Sequence, residues 1–225
     1  MDTNVAYHPY YPRSLSLPHY VPNTASLAAI FATLAVPLTA LLAGGSFLLH
    51  KRRPALSLAE RLAFCWFVLS GTLHLGLESY FIASHRTLAG DGFILGQVWK
   101  EYAISDSRYL SSDTLLWTIE LITVTVVGPL CYLTAHGIAA DSPRRHLYQL
   151  IVCVLHLYSD VLYFATTILE GSPHSDPHPY YFWFYFVFFN VIWIIVPSIL
   201  LYQSCRQITN GMAARHREQI AKKSS

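Results

Sequence analysis

Apolar residues occur along the chain in five long runs that are separated by short polar stretches. A helix of roughly 20 apolar residues crosses a bilayer, and two of the runs contain prolines (Pro37 and Pro129) that neighbouring membrane helices can accommodate as kinks. The predicted spans are about 27–49, 63–82, 115–138, 147–169 and 180–205. The pattern therefore predicts an all-α fold, a polytopic membrane protein with a bundle of five transmembrane helices in a single domain.

The composition agrees with a membrane protein. Of the 225 residues, 53% are hydrophobic and only 12% are charged, which is far more apolar than an ordinary soluble domain. The net charge of +2 is small and the basic residues lie in short loops and the tail, so no nucleic-acid-binding surface is expected. The four cysteines stand singly in or beside apolar runs, which indicates packing residues rather than a disulfide framework.

The charges of the connecting segments predict the orientation of the spans. The stretches HKRRPALSLAER and DSPRRH and the tail 206–225 are basic, whereas EGSPHSDPHP contains no Lys or Arg. Because basic loops face the cytosol, we expect a cytosolic tail and a luminal N-terminal segment over 1–26. That segment lacks the basic start and cleavage site of a signal peptide. The final KKSS resembles a dilysine retrieval signal, which predicts the endoplasmic reticulum membrane.

The longest connection, residues 83–113, joins the second and third spans. Connections of this length usually carry a function or contain short helices of their own. Its stretch FILGQVWKEYA predicts a short amphipathic helix near the membrane interface. A further role of this helix at the entrance of a site is left open.

Ionisable side chains lie inside the apolar runs, where each charged group costs roughly 2.5–3.5 kcal/mol. His74 and Glu78 are four residues apart in LHLGLESYF and therefore share one face of a helix. Glu120 and Thr123 share a face of the third span in the same way. Counted from the span centres, both carboxyl groups lie on the luminal side and His74 lies close to the midplane. These faces are expected to line one cavity.

Two further pairs lie on the fourth and fifth spans. Asn190 and Trp193 share a face near the midplane and are expected to line the same cavity. His156 and Asp160 repeat the four-residue spacing of His74 and Glu78. There the favoured interpretation is a structural clamp between the two side chains, with Tyr158 beside it.

The polar positions also have structural alternatives. The hydrogen bond between His74 and Glu78 could serve only to satisfy two buried polar groups. Glu120 could extend its carboxylate towards the interface, and Trp193 could pack or face lipid. The functional interpretation depends on the matching depths of the pairs.

The residue types in this set favour proton transfer. Burial disfavours the charged form of a carboxyl group, and a neutral acid can donate a proton. A neighbouring imidazole can act as acid, base or relay. A carboxylate and the π face of a tryptophan both stabilise a carbocation when water is excluded. These groups therefore favour redox-neutral, proton-driven chemistry on a lipid.

Motifs of other enzyme classes are missing from the sequence. The spans contain no histidine cluster of the kind that a di-iron desaturase or hydroxylase needs, and the chain contains no HExxH. There is also no GxSxG, P-loop or GxGxxG motif, which argues against a hydrolase or a nucleotide-binding enzyme. No metal and no other cofactor is expected.

Six motifs along the chain carry a family resemblance: HPYYP, CWFVLSGTLHLGLESYF, VWKEYAISDSRY, ELITVTVVGP, YSDVLYF and YFWFYFVFFNVIW. Together they cover nearly every span and resemble the emopamil-binding protein family, the delta-8 to delta-7 sterol isomerases of the endoplasmic reticulum. The resemblance implies a bundle of five membrane helices and cofactor-free migration of a ring double bond in a sterol. Ser79 departs from the family pattern, which has glycine after the acidic residue.

The resemblance implies catalytic roles for the polar positions described above. These positions are His74, Glu78, Glu120, Thr123, Asn190 and Trp193. Tyr102, Asp106 and Arg108 match a further family segment and are interpreted as the mouth or scaffold of the site, and Tyr102 and Asp160 are expected to contact substrate. The expected partners are a sterol from the bilayer and cationic amphiphilic drugs as inhibitors. A homodimer is left open.

Two other functions fit part of the pattern. A non-catalytic protein of the same fold could bind a sterol or cationic amphiphile through the same polar groups, and the family includes a relative considered to lack isomerase activity. A proton transporter is less compatible with the sequence, because it needs a polar path to both surfaces. The cytosolic halves of the spans offer few ionisable groups for such a path.

Overall fold

The computed structural model describes residues 7–224, which fold into six helices of nine or more residues. In chain order they are α1 (Leu27–Arg52), α2 (Leu58–Ser84), α3 (Ile94–Tyr102), α4 (Thr114–Ala139), α5 (Arg145–Leu169) and α6 (Tyr180–Lys223). All except α3 are long and apolar enough to span a membrane, which confirms the predicted all-α membrane fold. Residues 1–6 of the predicted luminal segment and Ser225 of the KKSS motif lie outside the described residues.

Short polar side chains mark where the long helices begin. Ser26, Ser57 and Asp113 each accept a hydrogen bond from the backbone N–H three residues further on, at 3.0–3.3 Å. These bonds satisfy N–H groups that the first helical turn leaves without a partner. The basic last turn of α1, residues 50–52, suits the negative end of the helix dipole.

Helix α6 extends far beyond the span predicted at 180–205. Its polar residues after 205 are too hydrophilic for a span but still continue the helix to Lys223, so most of the predicted tail is helical. With 44 residues, α6 is about 66 Å long, roughly twice the thickness of a bilayer core. Its last turns therefore project from the bundle, with nearly every side chain exposed.

Four of the membrane helices form the packed bundle, in which α2 lies along α4, α4 along α5, and α5 along α6. Helix α1 lies against α2 and α3, and only Ile30 and Leu49 of its 26 residues are buried. Most of its apolar surface therefore faces lipid. Two apolar clusters form the core, one containing Phe81 and the other containing Phe67. The polar positions of α2 lie between these two clusters.

Different contacts hold the two ends of the bundle. At one end, called the loop end here, the α2–α4 connection bonds to the α5–α6 loop through the Ser107 N–H and the His174 backbone oxygen, at 3.0 Å. At the other end, called the basic end, Arg53 forms an ion pair with Asp141 at 3.0 Å. The chain crosses between these ends five times, so the N-terminal segment lies at the loop end and the α6 extension at the basic end.

Helix α3 is the short helix predicted in the long connection, but its polar face is buried rather than exposed at an interface. Gln97 Oε1 accepts hydrogen bonds from the backbone N–H groups of Thr24 and Ala25, both at 2.8 Å. Lys100 Nζ donates to the backbone oxygen of Val21 at 2.7 Å. The N-terminal segment therefore supplies the polar partners of α3 and covers it.

Candidate active site

Three membrane helices contain a π-helical stretch, in which the backbone makes a wider turn. These stretches are Leu73–Glu78 in α2, Thr123–Val127 in α4 and Tyr180–Phe188 in α6. In α4 the Gly128 N–H donates to the Thr123 oxygen five residues back, immediately before Pro129, which has no N–H to donate. Wider turns of this kind are frequent at functional sites, and the first two contain His74, Glu78 and Thr123.

Gly128 allows α4 to approach α2 closely at this level. A Cβ atom at position 128 would lie 2.9 Å from Leu75 Cγ and 3.1 Å from His74 Cβ, which is closer than packed carbon atoms tolerate. The glycine therefore sets the spacing of the two π-helical stretches. At this spacing the Thr123 side chain reaches Glu78 on the facing helix.

Two carboxyl groups from different helices meet at one threonine hydroxyl. Thr123 Oγ1 lies 2.7 Å from Glu78 Oε2, 3.1 Å from Glu120 Oε2 and 2.8 Å from the Glu120 backbone oxygen. The Tyr109 hydroxyl donates to Glu120 Oε1 at 2.9 Å. A threonine hydroxyl has only one proton to donate, so its contacts with both carboxyl groups are satisfied together when it donates to one of them and the other is itself protonated and donates to Thr123.

An imidazole continues this chain of contacts from Glu78. His74 Nδ1 lies 2.7 Å from both carboxyl oxygens of Glu78, so the pair predicted from the four-residue spacing is joined by a hydrogen bond. The other ring nitrogen, Nε2, lies 3.0 Å from Nε2 of His156 on α5. Polar side chains of α2, α4 and α5 thus form one connected network.

The predicted clamp between His156 and Asp160 is wrong. No hydrogen bond joins the two side chains within residues 7–224, and His156 Nδ1 and Asp160 Oδ2 have no hydrogen-bond partner there. Both side chains are directed into the space between the helices, where His156 meets His74 instead of reaching along its own helix. Tyr158, expected beside the clamp, is 62% exposed on the outer face of α5.

The Trp193 ring lies against both imidazoles. Its centroid is 5.5 Å from that of His74 and 5.1 Å from that of His156. Trp66 extends the aromatic surface, 4.9 Å from Trp193. Trp66 was not identified from the sequence, although it lies eight residues before His74 and hence within the same broad stripe of α2.

Asn190 and Tyr102 form a part of the wall nearer the loop end. Asn190 Nδ2 donates to the backbone oxygen of Phe186 at 2.6 Å and lies 3.5 Å from the Tyr102 hydroxyl. Burial raises the pKa of Tyr102 above its ordinary value, so this hydroxyl stays protonated at neutral pH.

Tyr109 is a functional candidate that the sequence patterns missed. It lies in a connection, where no helical periodicity reveals which way a side chain points. Its ring lies 4.8 Å from Trp99 and 5.3 Å from Tyr102, and this contact aims the hydroxyl at Glu120. Burial, followed by the nearby charge of Glu120, raises the pKa of Tyr109 well above its ordinary value, so Tyr109 acts as a hydrogen-bond donor.

Asp106 and Arg108, which were expected at the mouth or in the scaffold, form a buried ion pair at 2.6 Å. Arg108 also donates to Thr167 Oγ1 on α5 at 2.6 Å. Neither residue of the pair lines the cavity described below. The pair therefore anchors the connection that carries Tyr109 to α5.

All eight residues predicted to catalyse or bind substrate line one cavity of about 490 Å³, a volume typical of small-molecule sites. They are His74, Glu78, Tyr102, Glu120, Thr123, Asp160, Asn190 and Trp193. The rest of the wall is mainly apolar, and the weakly attached helix α1 forms one side with Phe31, Leu34 and Leu38. The catalytic and binding roles of the eight residues stay predictions.

Three side chains of metal-binding type lie together beside the cavity. Ligand atoms of His74, Cys131 and His156 are within 4.8 Å of one another, and all three residues are buried. Because the two Nε2 atoms already form a hydrogen bond with each other, a metal ion would have to replace that bond. The expectation that the site uses no metal stays a prediction.

Comparison with known proteins identifies the family. A family model described as EXPERA, the expanded EBP superfamily, matches residues 94–204. The chain is 38% identical over 210 residues to a 3-beta-hydroxysteroid-Delta(8),Delta(7)-isomerase of Cavia porcellus, covering 92% of this chain and 91% of the relative. Proteins of the same name from Mus musculus and Rattus norvegicus are also 38% identical, over 221 and 217 residues, each covering 95% of this chain and 94% of the relative. The chain therefore belongs to the EBP family, the emopamil-binding proteins that its motifs resemble.

Proposed function

We propose that the protein is a sterol isomerase that moves a ring double bond from C8=C9 to C7=C8. The observation that carries the proposal is the hydrogen-bonded set of His74, Glu78, Thr123 and Glu120 at the wall of an otherwise apolar cavity between membrane helices. Relatives that match nearly the whole chain carry this activity in their names, which supports the same reaction here.

The reaction adds one proton to the sterol and removes another. The sterol enters from the bilayer beside α1, the helix with the least buried surface. A proton is added at C9 of the C8=C9 bond, a positive charge forms at C8, and loss of the proton at C7 leaves the C7=C8 bond. Atoms and electrons balance without an oxidant or reductant, so the site must supply an acid, a base and a stable place for a cation.

Glu78 and His74 form the proton-transfer pair. Their 2.7 Å contacts let a proton lie on either partner, so the pair can both deliver and recover a proton. Glu120 is connected to the pair through the Thr123 hydroxyl and is held by Tyr109. Its carboxyl group shares the proton with the pair, and the negative charge of the network stabilises the cation in the water-poor cavity.

Other wall residues orient the sterol and stabilise the cation. Trp193 offers a π face next to the two imidazoles, and a cation over such a face is stabilised by roughly 0.5–2 kcal/mol. Asn190 fixes the orientation of the sterol together with Tyr102, to which it lies close. Asp160 has one carboxyl oxygen without a partner in the described part of the chain, and this oxygen is available to a polar group of the ligand.

Cationic amphiphilic amines are expected to inhibit the protein. Such a molecule places a fixed positive charge in an apolar body and thereby resembles the carbocation. Catalysis requires complementarity to the species formed on the reaction path, so a stable mimic of that species should bind tightly.

A homodimer stays a prediction, which chemical cross-linking of the purified protein would test.

The endoplasmic reticulum is the proposed location, with the loop end in the lumen and the basic end in the cytosol. Arg53 and Arg145 lie at the basic end, as expected for the cytosolic side. The α6 extension carries Lys222 and Lys223 away from the bundle, a position suited to a retrieval signal. Glycosylation acceptor sites inserted before residue 26 and after residue 223 would be modified only in the first case.

Incubation in heavy water tests the proposed reaction. Purified protein with a delta-8 sterol in deuterium oxide should yield a delta-7 sterol that carries deuterium, because the acid exchanges its proton with solvent between turnovers. A protein that only binds sterols or cationic amphiphiles would bind a labelled cationic amphiphile in a separate assay and yield no delta-7 product. That second result would contradict the proposed function.

A further inference from the structure

The reaction proposed above leaves His156 without a role. This residue is only 3% exposed and lines the cavity. Its Nε2 atom lies 3.0 Å from His74 Nε2, and its ring stands edge-on to Trp193. Its other nitrogen, Nδ1, has no hydrogen-bond partner among residues 7–224. The polar contact of His156 is therefore directed at the imidazole of the proton-transfer pair.

The contact between the two Nε2 atoms restricts where protons can lie. A hydrogen bond between two ring nitrogens needs a proton on one nitrogen and a lone pair on the other. When neutral His74 donates through Nδ1 to an ionised Glu78, its Nε2 carries a lone pair and His156 must donate. When the pair holds one more proton and Nε2 of His74 is protonated, His156 must accept.

A neutral imidazole at position 156 meets both requirements. Its proton can lie on either nitrogen, so Nε2 is a donor in one tautomer and an acceptor in the other. Because Nδ1 has no hydrogen-bond partner in the part of the chain that the structure describes, neither tautomer breaks another hydrogen bond there. An apolar side chain at 156 would instead leave His74 Nε2 buried without a partner in every protonation state.

We propose that His156 is a positioning residue for the isomerisation, which rests on the function proposed above. It holds the His74 ring with Nδ1 towards Glu78, and it can do so as a donor or as an acceptor because either nitrogen of a neutral imidazole can carry the proton. Removing the partner that orients a functional histidine typically costs 10–100-fold where such partners have been tested at metal sites. An effect of that order is expected on kcat here.

Two other roles for His156 are packing and metal binding. It could merely fill space beside Trp193, or it could be one of three ligands of a metal together with His74 and Cys131. Cys131 is buried next to the two histidines but lies outside the cavity lining and forms no hydrogen bond with His74 in the described chain. Cys131 therefore provides a control for the metal alternative.

The test compares His156→Gln with His156→Met, two unbranched side chains of similar size. The glutamine amide offers both a donor and an acceptor to His74, whereas the methionine thioether offers at most a weak acceptor. For purified protein, His156→Met should lower kcat for a delta-8 sterol about 10–100-fold, while KM and the Kd of a cationic amphiphile change by less than about threefold. His156→Gln should keep kcat within about threefold of the wild-type value. Cys131→Ser should have wild-type kcat.

Each other outcome rejects the inference or the proposed function in a distinct way. Equal kcat for the Gln and Met variants would show that only packing matters, and a loss in Cys131→Ser as large as in His156→Met would indicate metal binding. Either result overturns the positioning role. His156→Leu serves as the apolar variant if His156→Met no longer binds the amphiphile. A wild-type protein that binds the amphiphile without forming delta-7 product would contradict the isomerase function itself.

Discussion

Replacing Thr123 with valine isolates the link between the two carboxyl groups. Valine keeps the branched shape of threonine and fills the same space in the π-helical stretch of α4, but it has no hydroxyl. The substitution removes the 2.7 Å contact with Glu78 and the 3.1 Å contact with Glu120. Tyr109 still donates to Glu120, so both carboxyl groups keep one other partner. The proton path between them is interrupted.

The size of the effect follows from the lost hydrogen bonds. A hydrogen bond to a charged group contributes about 1.5–3 kcal/mol, and 1.36 kcal/mol corresponds to a tenfold change in rate. If the link operates while the sterol carries positive charge, Thr123→Val should lower kcat about 10- to 150-fold. Binding of a cationic amphiphile should weaken much less, since Trp193 and the carboxyl groups remain in the cavity wall.

Conversion of a delta-8 sterol by purified protein, followed by chromatography of the products, measures this effect. Thr125→Val is the matched control, because Thr125 lies in the same π-helical stretch, is exposed on its outer face and donates a hydrogen bond to the Leu121 backbone oxygen. It should keep wild-type kcat. Wild-type turnover in Thr123→Val, or an equal loss in both variants, would refute a role for the hydroxyl in joining the carboxyl groups.

Three further substitutions test other parts of the site. Trp193→Leu should weaken binding of a cationic amphiphile about 2- to 30-fold, measured by displacement of a labelled amine, whereas equal affinity would remove the cation–π contact from the mechanism. Gly128→Ala should lower kcat at least about tenfold, because its Cβ would push α4 away from His74. The control Gly76→Ala should leave kcat unchanged, since its Cβ would meet no described atom within 4 Å. Burial raises the pKa of Glu101, so ionisation of this carboxyl group destabilises the folded protein. The destabilisation is absent below pH 4.5, the ordinary pKa of the group, and grows as the pH rises. Glu101→Gln should therefore raise Tm at about pH 8 and leave it unchanged at about pH 4, and an equal rise at both values would reject this explanation.

Helical periodicity made much of the site predictable from the sequence. The spacing of His74 and Glu78 places both side chains on one face, and the depth argument matched that face to Glu120 on another helix. The structure brings the three groups together through Thr123. Polar groups are costly inside a membrane, so each ionisable residue in an apolar run is a strong indication of a functional site.

Contacts between distant segments could not be predicted in the same way. The spacing of His156 suggested a partner one turn away on its own helix, but the packing of α5 against α2 supplied His74 instead. Tyr109 lies in a connection, and its direction depends on the aromatic rings that surround it. The π-helical stretches have no distinct pattern of apolar residues by which they could be recognised, although the stretch in α4 ends immediately before Gly128 and Pro129.

The burial of the polar face of α3 could not be predicted from the sequence either. Gln97 and Lys100 are typical of an exposed amphipathic surface, yet both are buried against the N-terminal segment. Backbone groups of that segment need hydrogen-bond partners, and this demand cannot be recognised from residue types alone.

The turnover of Glu78→Gln tests the central claim most directly, because glutamine keeps the size and hydrogen-bonding capacity of the side chain but can neither give nor take a proton. General acid–base groups contribute about 10²- to 10⁴-fold to rates, so kcat for a delta-8 sterol should fall at least about 100-fold while a cationic amphiphile still binds. Wild-type turnover by this variant would contradict proton transfer through the Glu78–His74 pair.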